Sequence, residues 1–233
     1  MTFQSVLQAL PMDHRDQLTL SGDAWFGALP PDRRDALILN GRTSRAADGA
    51  GIYATGDPPN GLWAVLEGQV RLKHYPSPGL ESLALALTPG NWFGEVSAID
   101  GGPRPHDAIA HGSVRLLHVT MPALARLAVA MPLIYHDLGT LACRHERIAL
   151  EFIAQIGLPP RSRIARSILT RTTADAPDLH LRQEDIAVML GLSRQTMNRQ
   201  LAAMAALGMV RLSYGSIRVL DRAALAIRAG LAG

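Results

Sequence analysis

Between residues 181 and 207 a single glycine, Gly191, interrupts two apolar helical stripes, so the segment must fold as two short helices with a tight turn. Ile186, Ala187 and Leu190 give the first helix its apolar face. Gly191-Leu192 makes the turn, and Ser193 can N-cap the second helix by accepting from otherwise unpaired backbone N–H groups. On that helix Met197, Leu201 and Met204 recur at i, i+4, i+7 and should face a core. Arg194, Gln195, Asn198 and Arg199 fall on the other side, close to the helix start. They offer the planar donors that guanine and adenine edges require in a major groove. A solvated helix face with a good cap is the plainer alternative; four such side chains clustered there favour DNA reading. Gln183 and Thr196 are placed for phosphate contacts, and Ser193 joins the same DNA-facing set.

The charge distribution agrees. The net charge of +3 conceals a C-terminal stretch, residues 161–233, with 11 Arg against 5 Asp and Glu, or +6. Residues 1–160 hold 12 basic against 15 acidic residues, or −3. A basic third joined to a mildly acidic remainder suits a polyanion-binding module on a separate regulatory body. Arginine usage alone says less, because Lys73 is the only lysine in the chain.

Upstream the pattern changes twice. Residues 1–24 show weak periodicity and read as an extension. Pro30-Pro31-Asp32 starts a helix that Gly41 stops. From Gly49 to about Val119, short alternating runs lie between glycines: Leu62–Leu66, a turn at Glu67-Gly68, Gln69–Lys73, Ser82–Leu87, a turn at Pro89-Gly90-Asn91, and Val114–Val119. These predict an antiparallel sandwich or roll of roughly eight strands. Residues 132–157 then read as one long helix. Its Ile134, Leu138, Leu141, His145, Ile148 and Phe152 step by heptad a/d spacing, read as a dimer seam rather than a face packed on the chain's own sheet. His145 reads as a tolerated polar seam residue. Gly157-Leu158-Pro159-Pro160 breaks the helix as a hinge. Beyond the two short helices, Val210–Leu220 alternates around Tyr214-Gly215, a two-residue hairpin that reads as a DNA-binding wing carrying Arg211 and Arg218.

A roll, a long helix, a proline break and a winged helix-turn-helix, in that order, resemble the CRP/FNR superfamily of bacterial transcription regulators over about residues 25–225. The resemblance is most specific in Ser193-Arg194-Gln195-Thr196-Met197-Asn198-Arg199, similar to the family's recognition-helix motif. Pro89-Gly90-Asn91-Trp92-Phe93-Gly94-Glu95 and Asp100-Gly101-Gly102-Pro103-Arg104 resemble the two ends of its phosphate-binding cassette. It implies an α+β fold with an extension at 1–24, a cyclic-nucleotide-binding-like β-roll at 25–131, a dimerisation helix at 132–157 and a winged helix-turn-helix at 158–233. It implies a homodimer on double-stranded DNA, with RNA polymerase as a partner if the protein activates.

For the cassette, the resemblance implies Gly94 and Glu95 at a ligand ribose and Arg104 at a phosphate, with His106 marking an altered effector pocket or else capping a turn. Pro105 stands where the family has a hydroxyl residue, and proline brings neither hydroxyl nor N–H. Ile148-Ala149-Leu150 brings no hydroxyl where the family contacts adenine. These departures imply a small-molecule or nucleotide effector other than cyclic AMP.

The remaining expectations are exclusions. One cysteine, Cys143, cannot hold an iron–sulfur cluster or a four-cysteine zinc site, and among Leu141, Ala142 and Ile148 it reads as a small buried residue. A haem would need an axial histidine from His74, His106, His111 or His118; His74 and His111 read as surface loop residues and His118 as a strand residue. A cupin-like metal enzyme would need paired histidines at short spacing, and the chain has no His-x-His. A regulatory subunit whose helix-turn-helix contacts protein is argued against by the exposed Arg194 and Arg199. With no apolar run long enough to span a bilayer and no basic leader at Met1-Thr2-Phe3-Gln4, the expected location is cytoplasmic, with no membrane partner, no catalytic residue and no metal.

Overall fold

In the computed structural model, the run Leu62-Trp63-Ala64-Val65-Leu66 is buried at every position, so the strand carrying it lies between two layers. The structure describes residues 12–77, 80–155, 157–179, 181 and 183–231. Contacts divide the chain into two units, Met1–Arg147 and Ile148–Gly233.

The first unit opens with α1 (His14–Ser21), closed by a reciprocal cap in which Asp13 accepts from Asp16 N and Asp16 from Asp13 N. Then come α2 (Pro31–Leu39), β1 (Arg42–Ala46), β2 (Gly51–Tyr53), β3 (Gly61–Ser77), β4 (Leu80–Leu87), β5 (Trp92–Phe93), α3 (Glu95–Asp100), β6 (Asp107–Thr120) and α4 (Met121–Ala130). The long helix α5 (Ile134–Gln155) starts here and crosses the boundary between units. The sheet is antiparallel in the order β1-β6-β3-β4, with β2 on β6 and β5 on β3. Alternation on β3 sorts the run above. Leu62, Ala64 and Leu66 join the core under the helices with Phe26, Leu37, Leu117 and Leu124, while Trp63 and Val65 face the roll interior with Val70, Phe93 and Leu116.

Among the described residues six strands form this sheet rather than the expected eight or so. Residues 62–66 and 69–73 are one continuous strand whose register shifts twice against β6, at Val65/Glu67 and Glu67/Gln69. Those bulges bend the strand where the sequence suggested a turn. Part of the expected extension is also folded: Leu20 of α1 is fully buried in the core beneath the helices. Residues 1–11 lie outside the described residues. His74 and His111 sit on β3 and β6 rather than in loops, with His111 Nε2 3.1 Å from Arg71 Nη2.

The expected seam on α5 needs correcting. Ile134, Leu138 and Leu141 are buried in the first unit's own core. The Trp25 indole donates to Asp137 O at 2.7 Å, Arg33 pairs with Asp137 at 2.8 Å, and Arg144 reaches Asp23 at 3.4 Å. Heptad spacing specifies one apolar stripe but not what covers it, and here the chain's own sheet and helices cover Ile134, Leu138 and Leu141, whereas Ile148 further along the stripe is exposed. Burial raises the Asp137 pKa despite Arg33. Cys143, expected to be buried, is exposed, because it lies two residues round the helix from Leu141. The side chain of Phe152 lies outside the described residues.

The second unit holds α6 (Pro160–Thr170), β7 (Asp178–Leu179), α7 (Gln183–Met189), α8 (Arg194–Ala206), β8 (Val210–Ser213), β9 (Ser216–Val219) and α9 (Arg222–Ala229). Its strands pair antiparallel in the order β7-β9-β8. Pro160 opens α6 at a position where no backbone N–H is needed. Ile164, Ile168, Ile186, Met197, Leu201, Met204, Ile217 and Leu225 are all fully buried in one cluster.

Candidate nucleic-acid interface and ligand cassette

The helix-turn-helix forms as its residues dictate. Helix α7 stops at Gly191, whose φ of 59° is a conformation that favours glycine. Leu192 N donates to Ala187 O at 2.8 Å across the turn, and Arg163 donates to Leu190 O. Ser193 then caps α8, accepting from Thr196 N at 3.1 Å while its hydroxyl donates to Thr196 Oγ1 at 3.0 Å. Burying Met197, Leu201 and Met204 leaves Arg194, Gln195, Asn198 and Arg199 together on the exposed face. Gln183 is half-buried at the start of α7.

The wing is a hairpin with Ser213 opposite Ser216 and the two-residue tip Tyr214-Gly215. Arg211 and Arg218 face each other across it. Like charges placed so repel, and Arg218 is offset by Asp178 on β7, Nη2 to Oδ2 at 3.1 Å. A second carboxylate, Glu184 of α7, holds Arg194 in the same way at 3.2 Å. Sequence reasoning missed both carboxylates; Tyr214 stands at the wing tip, where the sequence put it, and is fully exposed. No local spacing announces a pair ten or forty residues apart.

The cassette is built around Arg104, which is 1% exposed. Its Nη1 donates to Gly94 O at 2.8 Å and its Nη2 to Gly61 O at 2.6 Å and to Asn60 Oδ1. The guanidinium carbon stands 4.3 Å above the Tyr53 ring. Gly94 is left-handed at φ 91°, and a Cβ there would come within 2.8 Å of Arg104 Nη1, so only glycine fits. Burial lowers the Arg104 pKa, with Tyr53, Glu95 and Asp57 opposing, and raises that of Tyr53. An arginine expected to face a ligand phosphate thus directs its Nη1 and Nη2 to the protein's own backbone and to Asn60, while its Nε is buried without a hydrogen-bond partner.

Glu95 opens α3, is 4% exposed, and accepts from His145 Nδ1 at 2.8 Å. His145, expected as a passive seam residue, is therefore the partner of the carboxylate expected at a ribose. The His106 ring packs on Tyr53 at 5.8 Å and edge-on to His74 at 5.9 Å. Its Nδ1 is buried without a hydrogen-bond partner, and burial lowers its pKa to about 4. The nearby turn is held instead by Asp107, which accepts from Thr55 N at 2.7 Å. His118 stacks on Trp63 at 3.6 Å and hydrogen-bonds Asn60 O at 2.8 Å. Among the described residues no three His, Cys, Asp or Glu side chains are grouped to hold a metal ion, and no helix is long and apolar enough to cross a membrane.

Comparison with known proteins places both regions. The cyclic nucleotide-binding domain family model matches residues 44–130, and the Crp-like helix-turn-helix domain matches residues 162–228. The chain is 32% identical over 179 residues to the cyclic AMP receptor protein of Thermus thermophilus, covering 76% of this chain and 83% of that one. It is 30% identical over 192 residues to a CRP-like cAMP-activated global transcriptional regulator of Mycobacterium tuberculosis, covering 76% and 84%. Among solved structures, the Thermus thermophilus catabolite activator protein matches at 31% identity and a TM-score of 0.51, over 90% of this chain and all of that one.

Proposed function

The chain belongs to the CRP/FNR family of transcription regulators, and from that premise we propose that it acts as a homodimer reading an inverted-repeat DNA site through α8. The observation that carries this reading is the row Arg194, Gln195, Asn198 and Arg199, exposed on a helix whose opposite face is fully buried. Arg194 and Arg199 would take guanine N7 and O6, Gln195 an adenine edge, and Arg211 and Arg218 phosphates. Gln183, Thr196 and Ser193 would complete the phosphate contacts. Where the site lies so as to activate, RNA polymerase is the further partner, and the cytoplasm is where such DNA is met. No catalytic step is assigned. The relatives are transcription regulators, which does not favour a cupin-like enzyme or a helix-turn-helix that contacts only protein.

The dimer contact proposed is the outer stripe of α5. Tyr135, Gly139, Ala142, Glu146, Leu150 and Ile153 recur at four- and three-residue steps; Tyr135, Leu150 and Ile153 are 40%, 52% and 60% exposed. A second copy covering that stripe accounts for apolar side chains left in water.

The roll is proposed to sense a small effector other than cyclic AMP. Two relatives are named for cyclic AMP, which makes it the first ligand to test. Pro105, the internal bonds of Arg104 and the Glu95–His145 contact support the opposite expectation.

Selection from random DNA tests the reading. The expected product is a dyad-symmetric site with half-site centres about one helical turn, roughly 10 bp, apart. Enriched DNA without a dyad, or a consensus unmoved by Arg199→Ala, would overturn it.

A further inference from the structure

Two of the four arginines on the DNA-facing elements are each held by a carboxylate from a neighbouring element. Arg194 Nη2 lies 3.2 Å from Glu184 Oε2, and Arg218 Nη2 lies 3.1 Å from Asp178 Oδ2. Among the described residues, Arg199 on the same helix and Arg211 on the same hairpin carry no such partner. The arrangement is thus repeated: α8 and the wing each present one arginine open and one masked.

Stability does not explain the pairs. The side chains of Arg194 and Arg218 are 78% and 49% exposed, and both carboxylates are 34% exposed. Ion pairs that wet contribute little to folding, since water and salt screen them. What they do change is the charge met by an approaching polyanion. Two carboxylates among four arginines halve the net positive charge of the surface proposed to face DNA.

We infer that Glu184 is a specificity-determining residue, which sets the ratio of specific to non-specific DNA binding by masking Arg194, while Asp178 lowers affinity for every sequence alike by masking Arg218. This rests on α8 and the wing facing DNA. Non-specific binding is driven almost wholly by arginine and lysine neutralising phosphates. A phosphate that takes over these arginines must draw them away from Glu184 and Asp178, and the carboxylates repel it. A non-cognate duplex repays that cost with phosphate contacts alone. A guanine edge takes two of the five guanidinium N–H groups of Arg194 and leaves another for Glu184. Glu184 therefore weakens binding least where the base matches, whereas Asp178 weakens it alike on every sequence. Glu184 acts on the reading helix, and Asp178 acts on the wing, where it also relieves the repulsion between Arg211 and Arg218.

The test compares the full-length protein with Glu184→Gln, Asp178→Asn and the double variant, on the selected site and on a duplex of unrelated sequence, across a salt series. The amide substitutions keep size and shape and remove only the charge. The expected result is a several-fold gain in affinity for unrelated DNA in each single variant and a larger gain in the double. For Glu184→Gln the gain on the selected site should be smaller, so that the ratio falls about three- to tenfold, whereas for Asp178→Asn the two gains should match. The slope of log K against log salt should steepen by about 0.9 for each arginine released to a phosphate. An unchanged ratio in Glu184→Gln, or an unchanged slope in both single variants, would overturn the inference. So would a Glu184→Gln loss confined to the selected site, which would make Glu184 a strut that aims Arg194. Arg194→Ala, run alongside, separates the two layers. A consensus indifferent to it removes the reading-helix assignment and the masking with it, whereas a changed consensus with an unmoved Glu184→Gln ratio removes the masking alone.

Discussion

His145 Nδ1 donates to Glu95 Oε1 across 2.8 Å, tying the first residue of α3 to the middle of α5. Glu95 is the cassette carboxylate and is nearly inaccessible to water; a buried carboxylate that loses its donor keeps its full desolvation cost. Any ligand that used Glu95 to accept from a sugar hydroxyl would have to replace His145. The cassette and the long helix are thereby bound into one local arrangement within the first unit.

Replacing His145 with alanine should destabilise that unit by roughly 1–3 kcal/mol, because it strands a buried acceptor. Glu95→Gln should restore part of the loss in the His145→Ala background, since an amide is cheaper to leave buried. Chemical denaturation of the single and double variants measures this. Additive losses would show that the two side chains do not depend on each other.

Arg104 should behave as a structural residue before it behaves as a ligand contact. It supplies hydrogen bonds to Gly94 O and Gly61 O from a buried guanidinium. At roughly 1.5–3 kcal/mol for each bond to a charged group, Arg104→Ala should cost about 3 kcal/mol or more. Cyclic AMP should show no micromolar binding by calorimetry and leave DNA affinity unchanged. Micromolar binding accompanied by stronger operator affinity would mean that the guanidinium releases its backbone partners for the nucleotide.

Mild acid should weaken the roll. Burial lowers His106 and His118 from 6.5 to about 4, so between those values the unfolded chain binds protons that the fold does not. Stability is therefore full above about pH 6.5 and falls as the pH drops towards 4, by up to about 3 kcal/mol for each histidine. His118→Gln, which can still donate to Asn60 O, should remove roughly half of that fall. A denaturation midpoint flat from pH 6.5 to 4 would show that both rings ionise as easily folded as unfolded.

The two faces of α5 should respond differently to charge. Leu141→Asp puts a carboxylate among Ile134, Leu138 and the core beneath the helices, and should unfold the first unit. Ile153→Glu on the outer stripe should leave the melting transition of that unit in place but yield a monomer by light scattering. A dimeric Ile153→Glu protein would place the contact on another surface.

In the wing, Arg211→Ala should weaken binding about equally on every sequence and reduce the salt slope by about one, as loss of a phosphate contact does. Gln195→Glu on α8 should instead shift one position of the selected site towards cytosine, because a carboxylate only accepts. Parallel selections with each variant check both, and a base preference altered by Arg211→Ala would contradict the division of labour.

Local chemistry alone determined the helix-turn-helix. Gly191 must turn, Ser193 must cap, and the 3.6-residue period then decides which side of α8 is buried and which carries Arg194, Gln195, Asn198 and Arg199. The same holds for the Tyr214-Gly215 hairpin and for the family motifs, whose residues are contiguous. Tertiary structure decided everything that depends on distant partners. Heptad spacing placed Ile134, Leu138 and Leu141 on one stripe, but the chain's own core took that stripe, leaving Tyr135, Leu150 and Ile153 for another contact. Glu95 and Arg104 were legible as cassette residues. That His145, Gly94, Gly61 and Asn60 occupy their polar atoms was not, because such contacts join residues that only folding brings together. The carboxylates of Glu184 and Asp178 belong to the same class: a charge can be read from sequence, but its counter-charge is chosen in three dimensions.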